Sequence, residues 1–418
     1  MSAGIVSRWA RRFVAASAVF LVAWQVVALA DVLPAVSPIA ALPHRTHVTL
    51  AVYGFVLHTV FGKAYSLVPS YFDRSLAVPR APVVQFPLTV GGAVCLALAP
   101  LSGVPEVVAP VGALSWCAGV AVFVAALAWT LRDNPTGRET GTSDTESHRR
   151  GVDRLSNAFV PVVLAYLVAG SWATLALHGG DAGSLPVGLL GFEALTGFET
   201  LAAARTAHLL AAGTAALLVF AVGFRLFPRF LVASPPRSLV GVVLLGGAVG
   251  PALLAAGLYR PPLFRVGAAV EALAVVGFAA AYAVLFARSE RRRVGFYAVL
   301  AGVAAGVCGV ALGVGFAFGS IGVAPDLTAV HFRLNVLGFL GLTIVGATYQ
   351  FYPPTVGTFP GASDRTALAS VALVAGGLLA ELGGALAGVE TGLLAGRASA
   401  LVGALAFAGL ILGVFAER

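Results

Sequence analysis

The chain has 418 residues, of which 59% are apolar and only 11% charged, and its mean hydropathy is +0.94. Soluble domains carry about 25% charged residues, so a water-soluble globular enzyme is excluded. The net charge of +8 would suit a nucleic-acid binder, but its placement along the chain reads as membrane topology instead.

Twelve apolar stretches, each roughly 18–25 residues long, can cross a bilayer core about 30 Å thick. In chain order they cover residues 13–33, 47–68, 83–102, 107–131, 157–178, 205–227, 238–258, 264–287, 297–318, 330–352, 366–387 and 395–415. The first follows Arg8, Arg11 and Arg12 and is too long for the core of a cleavable signal peptide, so it reads as a membrane helix. Residues 132–156 are rich in Gly, Ser, Thr, Asp and Arg and read as a flexible cytoplasmic linker. Gly179–Thr200, with Gly, Leu, Phe and two glutamates, reads as a segment lying along the membrane surface. With this numbering, twenty of the 26 Lys and Arg residues fall at the two ends and in the connections of one side. The other side holds Arg45, Arg205, Arg260, Arg265, Arg333 and Arg397. The positive-inside rule then puts both termini in the cytoplasm. Cys95, Cys117 and Cys308 lie in apolar runs without paired spacing and read as packing residues.

An internal repeat links the second and tenth stretches. His47, Gly54, Gly62, Tyr65 and Pro69 stand at offsets 0, 7, 15, 18 and 22, and His331, Gly338, Gly346, Tyr349 and Pro353 stand at the same offsets. The sixth stretch carries a weaker copy, in which His208 and Gly223 keep the offset of 15 and Pro228 comes two residues early. The fold expected is therefore an all-α membrane protein, one membrane domain over 1–418. Its twelve helices form three four-helix pseudo-repeats, 1–131, 157–287 and 297–415, with the second, sixth and tenth helices lining the interior. All three histidines then lie in one layer near the outer face, and the prolines mark the cytoplasmic helix ends. A glycine stripe beside an imidazole suits either a flat cofactor, with Gly54 and Gly338 as cofactor contacts, or close helix packing.

Three such arcs with these histidines resemble subunit I of the heme-copper oxidases and nitric oxide reductases. The tenth stretch carries most of the likeness: Val330-His331-Phe332-Arg333, then Gly338-Phe339, Gly346, Tyr349 and Pro353, is similar to that family's His-x-His helix. The resemblance implies a heme, b-type by expectation. His331 takes the position of the reactive-heme ligand, His47 that of a low-spin heme ligand and His208 that of a copper ligand. Arg333 replaces the second low-spin ligand and, being always protonated, cannot bind iron; it is expected instead to pair with a heme propionate. No histidine occurs between 209 and 330, so no copper centre is expected and a proton-pumping oxygen reductase is disfavoured. The function implied is electron transfer or binding of NO or O2, with the lipid bilayer and other respiratory subunits as partners and no nucleic acid. The alternative is a small-solute permease, or a structural subunit of a respiratory membrane complex.

The remaining polar residues of the apolar stretches have two readings each. His44 is an alternative ligand to His47. His58, Glu271 and Glu381 are either proton-conducting groups or hydrogen-bonded interior residues.

Overall fold

The computed structural model describes residues 2–33, 43–140, 149–179, 203–258 and 260–417. Twelve helices in it are long and apolar enough to cross a membrane: α1 (Gly4–Ala30), α2 (His44–Tyr71), α3 (Ala81–Leu98), α4 (Val108–Leu131), α5 (Arg150–His178), α6 (Ala204–Leu231), α7 (Arg237–Gly257), α8 (Pro261–Arg288), α9 (Val294–Phe318), α10 (Pro325–Val356), α11 (Asp364–Ala387) and α12 (Glu390–Ala416). No strand occurs among the described residues. In lipid, only helices and closed barrels satisfy every backbone N–H and C=O internally, so this all-helical, multi-pass membrane protein follows from composition alone.

Helices α2, α6 and α10 are the interior. Their most apolar windows are 89%, 67% and 78% buried, against 39–50% in the other nine helices. Those nine form a closed outer ring, each touching the next in the order α1, α3, α4, α5, α7, α8, α9, α11, α12 and back to α1. Outward positions such as Leu245, Leu273, Leu379 and Leu405 remain exposed, as expected for side chains that face acyl chains.

Each inner helix opens into a nine-residue π-helical stretch near its histidine: Thr49–Leu57, His208–Ala216 and Leu334–Leu342. The three stretches touch one another pairwise at the centre of the bundle. Wide turns of this kind are rare and concentrate at functional sites. Small residues let the inner helices approach their neighbours. A methyl group on Gly346 would overlap the carbonyl oxygen of Gly295 in α9, and one on Gly62 would meet Phe13 and the Ala10 carbonyl in α1.

The structure adds detail to two expectations. Pro69 and Pro228 sit inside the last turns of their helices, which run on to Tyr71 and Leu231; only in α10 does the α-helix stop before its proline, at Phe351. A proline in a last turn forfeits one hydrogen bond and leaves little helix to disrupt. Beyond each helix end, four residues after the proline, Asp73 and Val232 take left-handed conformations at φ 52° and 53°.

The described residues of 132–156 have regular local structure, because their polar groups find partners. Residues 132–140 are mostly turns, in which Asn134 and Thr140 donate to the carbonyls of Phe72 and Tyr71. Arg150–Ala158 is helical and carries Asp153, which is buried against Arg225 and Arg229. Residues 141–148 and nearly all of the expected surface segment, 180–200, lie outside the described residues.

Candidate functional site

The three repeat histidines sit within the first two turns of three parallel helices, so α2, α6 and α10 bring them to one end of the bundle. The π-helical stretches that begin at His208 and just after His331 touch each other. The His44 ring meets Phe332, the neighbour of His331, edge-on at 5.4 Å.

The histidines differ in which nitrogen is free. His331 Nδ1 lies 2.8 Å from the Gly309 carbonyl of α9, and His208 Nδ1 lies 2.7 Å from the Ala204 carbonyl one turn earlier. A carbonyl can only accept, so both Nδ1 atoms carry the proton and both Nε2 atoms present a lone pair. This is the arrangement in which a histidine binds a metal, its other ring N–H held by a carbonyl. Phe316 stands edge-on to the His331 ring at 5.7 Å, and Asn335 donates to the His331 carbonyl. His47 is turned differently: its Nε2 lies 3.0 Å from Asp31 Oδ2, beyond the end of α1.

Beside His47 lies a buried charge network that joins five helices. Arg333, 3% exposed, donates from Nε and Nη2 to the two oxygens of Glu381 at 2.6 and 2.8 Å. Its Nη2 also donates to Gln25 Oε1 at 2.9 Å. Arg397 lies 3.8 Å from Glu381 and 3.7 Å from Asp31, and donates to the Ala28 carbonyl at 2.8 Å. Two guanidinium groups thus face two carboxylates. The fork-to-fork pairing of Arg333 with Glu381 is the strong, geometrically specific form of such a contact. Buried donors remain without acceptors at Trp24 Nε1, Gln25 Nε2 and Arg333 Nη1, on residues that adjoin one another where the Arg333 guanidinium lies 5.4 Å from the Trp24 ring.

Glu381 is hydrogen-bonded in the interior, one of its two readings, and its partner is the buried Arg333. Sequence reasoning treated Arg397 only as a topology charge and passed over Asp31 and Gln25. The available signal was their polarity: intramembrane ionisable residues cluster with one another because none can be left alone in hydrocarbon.

His58 is fully buried, donates from Nδ1 to the Tyr53 carbonyl at 2.7 Å, and leaves Nε2 unpartnered inside a ring of Phe13, Phe20, Phe61 and Trp116. Glu271 in α8 packs on Gly250 of α7, with one carboxyl oxygen unpartnered. Beside Gly54 the space is filled by the Phe20 ring, and beside Gly338 by Ala305 of α9. Among the described residues no three His, Cys, Asp or Glu side chains converge at metal-binding distance. No protein-family model matches the chain, and no curated protein matches it significantly.

Proposed function

We propose that this is a heme-binding protein of the cell membrane, laid out as three four-helix arcs in the manner of oxidase subunit I, with both termini cytoplasmic. Its role is electron transfer or the binding of a diatomic gas such as NO or O2, without a copper centre. The observation that carries this reading is His331, whose Nδ1–H is fixed by the Gly309 carbonyl so that Nε2 is free. The closed ring of nine helices around three supports the arc layout. The excess of Lys and Arg on one side supports the orientation.

The residues present fit a heme in two respects. His331 would hold the iron through its free Nε2. The unpartnered donors of Trp24, Gln25 and Arg333 want an anionic acceptor, which a heme propionate would supply. His47 holds Asp31, and through it the charge network, and is not the ligand in this arrangement. The bound group would supply a redox-active iron able to bind a diatomic gas.

A reduced-minus-oxidised visible spectrum of the protein purified from heme-replete cells tests this. Soret and alpha bands are expected, with carbon monoxide binding that is lost in His331→Ala and kept in His47→Ala. A featureless spectrum, or unchanged bands in the His208→Ala/His331→Ala double variant, would refute the assignment and favour a permease.

A further inference from the structure

At the other end of the inner helices lies a cavity of about 100 Å³ enclosed by α2, α6 and α10. One water needs only about 10–15 Å³ by this measure, so the space holds several heavy atoms. Its three walls are equivalent when counted back from each helix's proline. Thr59, Leu218 and Thr343 lie ten residues before Pro69, Pro228 and Pro353, and Val60, Val219 and Ile344 lie nine before. Ala64, Gly223 and Thr348 lie five before them, and Leu67, Leu226 and Phe351 two before. The spacing i, i+1, i+4, i+5, i+8 places each set on one helical face.

The symmetry breaks at one position. Six residues before the proline stand Val222 in α6, Ala347 in α10, and Lys63 in α2. The Lys63 ammonium lies 4.1 Å from the Phe351 ring centre and 3.9 Å from that of Tyr352, at the mouth of the cavity. Two aromatic faces stabilise a cation but do not neutralise it. No carboxylate among the described residues pairs with Lys63, although Asp31, Asp153 and Glu381 are each engaged by arginine elsewhere in the bundle. The combination is a partly open apolar cavity lined by about ten residues of α2, roughly 15 Å of helix, with a single cation that has no carboxylate among the described residues.

We propose that this cavity binds a single-chain anionic amphiphile of medium length, a fatty acid, with its carboxylate on Lys63 and its chain between the three helices. Apolar walls select the chain, and the narrow space admits one chain rather than the two of a phospholipid. The lone ammonium at the mouth selects one negative charge. The site is independent of the histidine layer, since no histidine lines it.

The test titrates the full-length protein in detergent with dodecanoate and with the uncharged dodecanol, by calorimetry and native mass spectrometry. The expected result is one bound dodecanoate per chain, preferred over dodecanol by about tenfold, the ratio that 1.4 kcal/mol sets. Lys63→Met should remove that preference while dodecanol still binds, and Lys63→Arg should keep it. Ala347→Phe should abolish binding of both, and Val222→Phe, on the opposite wall, gives the same readout should the first variant not fold. Dodecanoate affinity unchanged in Lys63→Met, or unchanged in the folded wall variants, would overturn the proposal. So would displacement of dodecanoate by equimolar phosphatidylglycerol, which would assign the cation to a membrane headgroup.

Discussion

At the histidine end of the bundle, Gln25, Asp31, His47, Arg333, Glu381 and Arg397 pair with one another across α1, α2, α10, α11 and α12, leaving only single donors such as Arg333 Nη1 over. At the opposite end, the same inner helices meet through apolar side chains, leave a cavity and keep one ammonium without a carboxylate. Both ends hold cations inside a membrane protein, yet they achieve it by different physics. Four charges taken out of water are tolerable in the first case because each faces its opposite with hydrogen bonds in place. The second case relies on aromatic faces and the reach of a long side chain. The polar end is therefore a rigid joint whose members depend on one another, whereas the apolar end has slack.

The sharpest way to break this contrast is Glu381→Gln, which leaves the buried Arg333 without a carboxylate and Arg397 with Asp31 alone. It should cost about 3–5 kcal/mol in thermal or denaturant unfolding in detergent. Arg333→Met combined with Glu381→Leu should recover most of that loss, since an apolar pair removes both charges together. A double variant no better than the single one would show that the pair is not the unit of stability.

A second ion pair offers a comparison at the cavity end of the bundle, outside the cavity itself. Asp153, in the first turn of α5, accepts from Arg229 at 3.1 and 2.8 Å and lies 3.6 Å from Arg225, which also stacks over Tyr71. Asp153→Asn should cost about 2–3 kcal/mol, less than at Glu381, because Arg229 is 28% exposed and water can replace part of the contact.

Close packing should matter next. Gly346→Ala forces a methyl group into the Gly295 backbone and should cost about 1–3 kcal/mol. Gly376→Ala in α11, where nothing lies within 4 Å, should stay within about 0.5 kcal/mol of the parent. Equal costs at the two sites would mean that helix propensity outweighs packing.

The one effect of opposite sign belongs to the cavity. Ala347→Val fills part of it and should raise stability by up to about 1 kcal/mol. A clear loss would mean the walls are already at contact distance.

The twelve spans and the central position of α2, α6 and α10 were legible because they follow from segment length and from a repeat visible in the residues. That His47, His208 and His331 share one end followed from counting helices. What was not legible depends on distances between helices. Nothing in the spacing of Asp31, Glu381 and Arg397 shows that they meet, since each lies alone within an apolar run. Lys63 looked like one topology charge among twenty, and only the absence of a partner in three dimensions sets it apart. The π-helical stretches were also invisible: in a run such as Leu334–Leu342, apolar on every side, no periodicity distinguishes one helical pitch from another.

Those wide turns bear on how the chain tolerates changes of length. A π turn accommodates an extra residue in a helix whose flanks keep their α-helical phase. Deleting one residue within Thr49–Leu57 could therefore be absorbed by tightening that stretch to α, with His47 and Lys63 still on their present faces. The same deletion within His58–Tyr71 has no such reserve and would turn everything beyond it by about 100°. Insertions and deletions along α2, α6 and α10 should thus be confined to the wide turns, which act as expansion joints between the histidine layer and the cavity.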